Sequence, residues 1–418
     1  MLPRYSQKTT AWVVGGVALV LRLLFIAVAG RSQGIRPGTD SVSYDAFARL
    51  MMSGWKWLTT PLAVREPLYP AFMAFAYALP TPDLGTLQIL QALVGAAAAV
   101  ALYLGLRSLA GEAVAGVAGL LVAVNPHFVA GAVVPSREVL IAPLIVGFIV
   151  SFLHAVSRGG ARRCFVCVLC FVLLAHTDVR FVPLVALVPV MAFAYHRRAR
   201  LAWRQSLWML LFFLLLMVPY QIRGYMAMGR PVIITERFLG TWLPRAGAVM
   251  SERSAVGSLG GRQAWLAEFE SRKRASLQEL TPQEREYFLA GGRPAVGRLA
   301  VHWTLLGEYW RFAQFSPMYR PYPDGRFAPP WSTRHNVTSS IVVIPFLLLF
   351  PVALLMARGA VRQLMWPLVV FLGAHSLLHV FVHARERYRI PMEVVMAVLV
   401  AMALVSLWPL LPRSNQAR

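Results

Sequence analysis

Apolar residues in this chain do not alternate with polar ones; they continue through whole stretches and are broken by short polar clusters. Ten such runs predict helices at 10–29, 84–106, 112–125, 134–157, 163–177, 180–196, 205–220, 337–357, 362–381 and 388–411. Apolar runs of about 17–25 residues are long enough to cross a bilayer as helices. A membrane barrel would show alternating positions instead. Three runs are weaker: 112–125 and 163–177 are short, and 180–196 contains Pro183 and Pro189. The breaks are charged or turn-forming, as at Arg107 to Glu112, Asn125-Pro126, Arg158 to Arg163 and His176-Thr177-Asp178. The expected fold class is an all-α polytopic membrane protein of about ten transmembrane helices.

Composition agrees with this pattern. Hydrophobic residues make up 58% of 418 and charged residues 14%, against about 25% charged in an ordinary soluble domain. The net charge of +23 is distributed in a way that gives orientation. With both termini cytoplasmic, the inner turns hold Arg4 and Lys8, Arg107, Arg158 with Arg162 and Arg163, Arg197 to Arg204, Arg358 and Arg362, and Arg413. That is the positive-inside pattern of a multi-pass protein of the inner (plasma) membrane. No compact basic module lies outside the runs, so a nucleic-acid partner is not expected. The first run is longer than a cleaved secretory signal and lacks its small-residue cleavage site, so it is expected to stay as an anchor.

Two outer regions follow from this topology. The chain divides into an N-terminal transmembrane module at 1–220 with a first outer loop at 30–83, an outer loop region at 221–336, and C-terminal helices at 337–418. The 221–336 region carries five tryptophans and mixes apolar and charged residues at helical spacing, which predicts amphipathic helices at the interface. Thr281-Pro282-Gln283-Glu284 is a helix start and Gly291-Gly292 a stop. All three cysteines, Cys164, Cys167 and Cys170, fall in one apolar run; they read as small packing residues rather than metal ligands or a disulfide.

Charge at membrane depth is expensive and marks function. Asp40 opens the polar segment after the first run, and Tyr44 follows one helical turn later. Arg65-Glu66-Pro67-Leu68-Tyr69-Pro70 closes that segment. Arg137 and Glu138 precede one run, Asp178 and Arg180 another, and Arg223 follows Pro219-Tyr220-Gln221. Arg385 to Arg389, with Tyr388 between two arginines, fills the last outer turn. All of these fall on the same outer side: one acid ringed by arginines suited to a phosphate. Arg22 is the exception, in the middle of the first run, where it can pair with a neighbouring helix or act directly. Glu138 can simply favour a helix N-terminus. Asp45 reads as a helix-surface acid. His375, His379 and His383 share one helix face but lack an accompanying HExxH glutamate, and read as packing residues. No Walker A loop, GxSxG elbow or Rossmann fingerprint is present.

Four patterns, spread over most of the chain, carry a resemblance. They are Gly38-Thr39-Asp40 to Pro70, Asn125-Pro126 with Ser136-Arg137-Glu138, Pro219-Tyr220-Gln221-Ile222-Arg223, and Arg387-Tyr388-Arg389-Ile390-Pro391. Together they resemble the lipid-linked sugar transferases of the GT-C fold, in particular those related to protein O-mannosyltransferases and lipid A aminoarabinose transferases. The resemblance implies a polyprenyl-phosphate sugar donor, an extracytoplasmic acceptor, and Asp40 as general base. It implies donor-phosphate binding by Arg65, Arg387, Arg389 and Arg223, supported by Tyr44, Glu66, Tyr69, Glu138, Arg180 and Tyr388. Thr39 and Ser41 flank Asp40 where some members place a second acid, so a divalent metal is not supported and no cofactor is expected. The alternatives are a lipid-linked glycan transporter, or a ligase or polymerase using a lipid diphosphate.

Overall fold

The computed structural model describes residues 7–29, 40–54, 56–59, 66–81, 83–196, 199–228, 343–356, 359–382 and 389–407. The capped helix expected at 281–292, with the rest of the 229–342 stretch, lies outside these residues, as do Arg65, His383, Arg387 and Tyr388. The described residues are helical, with no strand among them. In chain order they form α1 (Gln7–Ala29), α2 (Asp40–Met52), α3 (Lys56–Thr59), α4 (Leu68–Tyr77), α5 (Leu84–Ala110), α6 (Glu112–Val124) and α7 (Pro126–Gly131). They continue as α8 (Glu138–Arg158), α9 (Ala161–Thr177), a 3₁₀ segment (Val179–Ala186), α10 (Leu187–Tyr195) and α11 (Ala199–Met228). α12 (Val343–Met356), α13 (Gly359–Val382), a 3₁₀ turn (Ile390–Met392) and α14 (Glu393–Leu407) complete them.

Each of the ten predicted runs holds a helix. Among the described residues, six helical stretches are long and apolar enough to cross a membrane: Gln7–Ala29, Leu84–Ala110, Glu138–Arg158, Arg200–Ala227, Val361–Leu378 and Ile390–Leu407. The chain is a multi-pass membrane protein. The 180–196 run splits because Pro183 cannot donate to an α-helical ladder. The segment around it is 3₁₀, and the α-helix resumes at Leu187, with Pro189 in its first turn where no donor is lost. α11 runs to Met228 and encloses Pro219, eight residues beyond the predicted end.

α14 is the centre of the bundle. Every residue from Glu393 to Ala403 is buried, so this helix is apolar on all sides except at its first residue, the pattern of an element enclosed by others. α6, α8, α12 and α13 pack around it. α1 and α11 instead turn large apolar side chains outward, with Trp12 80% and Leu207 68% exposed, as lipid-facing helices do. A second, smaller core of Tyr44, Ala48, Tyr69, Met73, Ala76, Leu87 and Leu140 seats α2 and α4 on α5 and the start of α8.

Helices in a membrane approach closely through small residues. At Gly105 on α5 an added Cβ would lie 2.2 Å from Val150 Cγ1 of α8 and 2.9 Å from its Cγ2. The β-branched Val150 has no free rotamer to yield. Gly105→Val is expected to destabilise the α5–α8 contact by about 1–3 kcal/mol, the usual cost of overpacking. The check is the thermal midpoint in detergent; an unchanged midpoint would refute this packing.

Candidate functional site

The helix ends divide into two sets. At one end lie the starts of α2, α8 and α14 and the ends of α6, α9 and α11. At the other lie Arg107, Arg158, Arg162 and Arg163 with the α5–α6 and α8–α9 turns. The acids and their partners gather at the first end.

There, four buried charged groups form one cluster. Arg137 Nη1 is 2.8 Å from Glu66 Oε2, and its Nη2 is 3.4 Å from Asp178 Oδ2. Arg180 Nε donates to both oxygens of Asp178, at 2.8 and 3.0 Å, and its Nη2 also donates to Oδ2. The Val179 backbone N donates to Glu66 Oε1 at 3.3 Å. All four are under 9% exposed. Two cations and two anions leave the cluster neutral, the condition under which buried charge is tolerated. Burial alone would raise the Asp178 carboxyl, but Arg137 and Arg180 outweigh it and hold it well below the usual carboxylate range. Burial likewise opposes the charge of Arg137, and Asp178 and Glu66 keep it protonated.

The backbone around the cluster is held by α5. Gln88 Nε2 donates to Val133 O (2.9 Å), and Gln91 Nε2 to Ala132 O (2.9 Å) and Val134 O (3.3 Å). These bonds fix the turn that carries Ser136, Arg137 and Glu138. Gln91 Oε1 accepts from Tyr69 Oη at 2.8 Å. The Tyr69 ring meets that of Tyr44 edge-on at 5.1 Å. Ser136 Oγ donates to Glu138, the first residue of α8, so Glu138 combines the predicted place at a helix N-terminus with a hydrogen bond.

Asp40 is the first residue of α2, partly exposed, one turn ahead of Tyr44. Its carbonyl accepts from Ser43 Oγ at 2.8 Å. Asp45, the other acid on this helix, is committed: Arg49 Nε donates to it at 2.9 Å and Tyr77 Oη at 2.8 Å. Arg223 is 4% exposed and donates from Nη2 to Trp57 O at 3.0 Å. Its guanidinium lies over the Trp57 and Tyr220 rings at 5.6 and 5.7 Å.

A second buried group surrounds Glu393, which has no exposed surface. Its Oε2 accepts from Asn125 Nδ2 at 2.8 Å and lies 3.0 Å from His127 Nδ1; its Oε1 lies 3.7 Å from Arg389 Nη2. Asn125 also caps α7, accepting from the His127 and Phe128 backbone, so one side chain ties the α6–α7 turn to α14. The sequence singled out Asn125 and Arg389 but not His127 or Glu393. The signal for Glu393 was present: it is the only acid in the 390–407 run, and intramembrane acids are rarely idle.

A cavity with about 40 Å³ of room for water-sized molecules is lined by His127, Ser136 and Glu138 together with Arg22, Gln91 and Gly95. Nη1 of Arg22 donates to Ala18 O (2.8 Å) and to Ala123 O of α6 (3.2 Å). An added Cβ at Gly95 would lie 2.6 Å from Nε of Arg22. Arg22 therefore does link neighbouring helices, but through backbone carbonyls rather than an acid. His375 is buried with its ring 5.3 Å from that of Phe181.

No known protein-family model matches the chain, and no curated protein matches it. Solved structures do. The apo oligosaccharyltransferase of Archaeoglobus fulgidus superposes with a TM-score of 0.60 at 14% identity, over 97% of this chain and 51% of that one. The same enzyme tethered to an acceptor peptide containing the NVT sequon gives 0.58 at 12% identity, over 97% and 50%. AglB from that organism, in complex with an inhibitory peptide and a dolichol-phosphate, gives 0.57 at 14% identity, over 98% and 52%. The chain thus spans about half the length of these structures and shares their GT-C fold.

Proposed function

We propose that this chain is an integral membrane glycosyltransferase that moves a sugar from a polyprenyl-phosphate donor to an acceptor outside the cytoplasm. The observation that carries the reading is the combination of a GT-C fold over nearly the whole chain with the gathering of the Asp40 helix, Arg223 and Arg389 at one end of the bundle. The arginine-rich turns lie at the opposite end, which the positive-inside pattern assigns to the cytoplasm.

In this mechanism Asp40 is the general base. The acceptor hydroxyl gives its proton to the Asp40 carboxylate as its oxygen attacks the anomeric carbon. The bond from that carbon to the phosphate oxygen breaks, the electron pair leaves with the polyprenyl phosphate, and the anomeric configuration inverts. The charge that develops on the phosphate needs cations already in place. Arg65, Arg387 and Arg389, backed by Arg223, are assigned that role. Tyr388, between two of these arginines in the sequence, is assigned to hold them. Glu66 and Arg180 take a different part. With Arg137 and Asp178 they form the neutral cluster that holds the Ser136–Glu138 turn and, through Tyr44 and Tyr69, seats α2. Glu66 and Asp178 are each taken by an arginine. The acceptor is a glycan, a lipid or a protein.

Mass analysis of surface glycans and glycolipids tests the reading. Cells without this chain are expected to lose one sugar mass from one class of envelope molecule and to accumulate the lipid-linked donor. An unchanged profile on both counts overturns it.

A further inference from the structure

The end of the bundle opposite the candidate site has an open pocket of about 500 Å³ between α8 and α9. Exposed Arg162 and Arg163 line its rim, with the partly buried Ser151 and His154 and the apolar Val150 and Val166 completing the lining. Ser151 and His154 are already satisfied: Ser151 Oγ donates to Phe148 O at 3.1 Å, and His154 Nε2 bonds Gly105 O at 2.9 Å. The arginines are not similarly committed. Both are exposed. Arg163 donates from Nη1 to Gly159 O at 2.8 Å, which holds it at the rim. Arg162 makes no hydrogen bond or ion pair among the described residues. No acid lines the pocket, and the sequence holds none between Glu138 and Asp178, while Arg158 stands in the same turn.

The surface below the rim is apolar. Val166 and Leu169 follow Arg162 at steps of four and three residues, so they lie on its face of α9, and both are exposed (43% and 36%). A cationic slot above an apolar strip matches an amphiphile with an anionic head and a hydrocarbon tail. A soluble phosphate would use the slot and leave the strip bare. Basic pockets between helix ends on the cytoplasmic side hold anionic lipid head groups in this way.

We propose that this pocket binds an anionic phospholipid of the leaflet opposite the candidate site. The phosphodiester lies between Arg162 and Arg163, and one acyl chain runs along Val166 and Leu169. The pocket does not depend on the catalytic reading and involves none of its residues.

Native mass spectrometry of the full chain in detergent tests this, with phosphatidylglycerol, phosphatidylcholine and glycerol phosphate as probes. Phosphatidylglycerol is expected to bind in preference to phosphatidylcholine, and glycerol phosphate not to compete. Each arginine near a membrane surface adds about fivefold in affinity, so Arg162→Gln with Arg163→Gln is expected to weaken phosphatidylglycerol about 25-fold. Equal affinity for the two lipids, an unchanged affinity in the double variant, or full competition by glycerol phosphate overturns the proposal. If the double variant does not fold, a salt series on the unaltered protein decides. The preference for phosphatidylglycerol is expected to fall as ionic strength rises toward about 1 M, where the Debye length is roughly 3 Å; a preference that does not change with salt overturns it.

Discussion

Asp40→Asn is expected to lower sugar transfer by about 10²–10⁴-fold, the usual contribution of a general base, while the protein remains folded and still takes up its donor. The two halves of this expectation have separate causes. Asparagine matches aspartate in shape and size, so α2 keeps its start and Tyr44 its place against Tyr69. What disappears is the carboxylate that accepts the acceptor's proton. Asp45→Asn is the control on the same helix. Its carboxylate serves Arg49 and Tyr77, so its loss is expected to cost some local stability and little transfer. The measurement is the rate of sugar transfer from a purified lipid-linked donor, with donor binding measured in parallel. Equal rates for Asp40→Asn and the unaltered protein would remove Asp40 from the mechanism. Loss of donor binding together with rate would make it a binding residue instead.

The helices were legible from the sequence because membrane helices announce themselves by continuous apolarity, and each of the ten runs became one. One boundary was legible where specific residues set it: Asn125-Pro126, a turn-forming break in the sequence, ends α6 and starts α7. Pro219 misled, because a proline inside α11 bends or weakens a membrane helix without ending it. The candidate site was legible as a list and not as an arrangement. Arg137, Asp178 and Arg180 each stood out as charges at the edge of an apolar run. Nothing local in the sequence says that Arg137 pairs with Glu66, 71 positions earlier, or that Asn125 and His127 hold Glu393, 268 and 266 positions later. Such pairings are set by which helix ends come together, a property of the packed bundle. They also occupy side chains: Arg180, expected to support donor binding, has its guanidinium on Asp178.

That commitment gives the largest expected effect on stability. Arg137→Met would leave Glu66 without its cation and Asp178 with Arg180 alone, in a site closed to water. Breaking a buried ion pair from one side costs on the order of 3–5 kcal/mol, because the surviving charge stays buried. Adding Glu66→Leu removes that charge and leaves the neutral Asp178–Arg180 pair, so the double variant is expected to regain most of the loss. If the two substitutions instead destabilise additively, the pair is not the unit described here. The pH dependence has a definite sign. Asp178 has a depressed folded-state pKa, so the stability it contributes is complete above the ordinary carboxylate range of about 4 and declines as pH falls below it. In Arg137→Met the depression at Asp178 is smaller, because Arg137 is one of its causes, whereas in the unaltered protein protonation of Asp178 takes a partner from Arg137. The stability gap between the two proteins is therefore expected to be widest near neutral pH and to narrow in acid, measured as unfolding midpoints in detergent across that range. A gap that does not change with pH would mean that Arg137 does not lower the Asp178 carboxyl. The cluster could then not fix the Ser136–Glu138 turn by charge, and the seat of Asp40 would rest on Tyr44, Tyr69 and Gln91 alone.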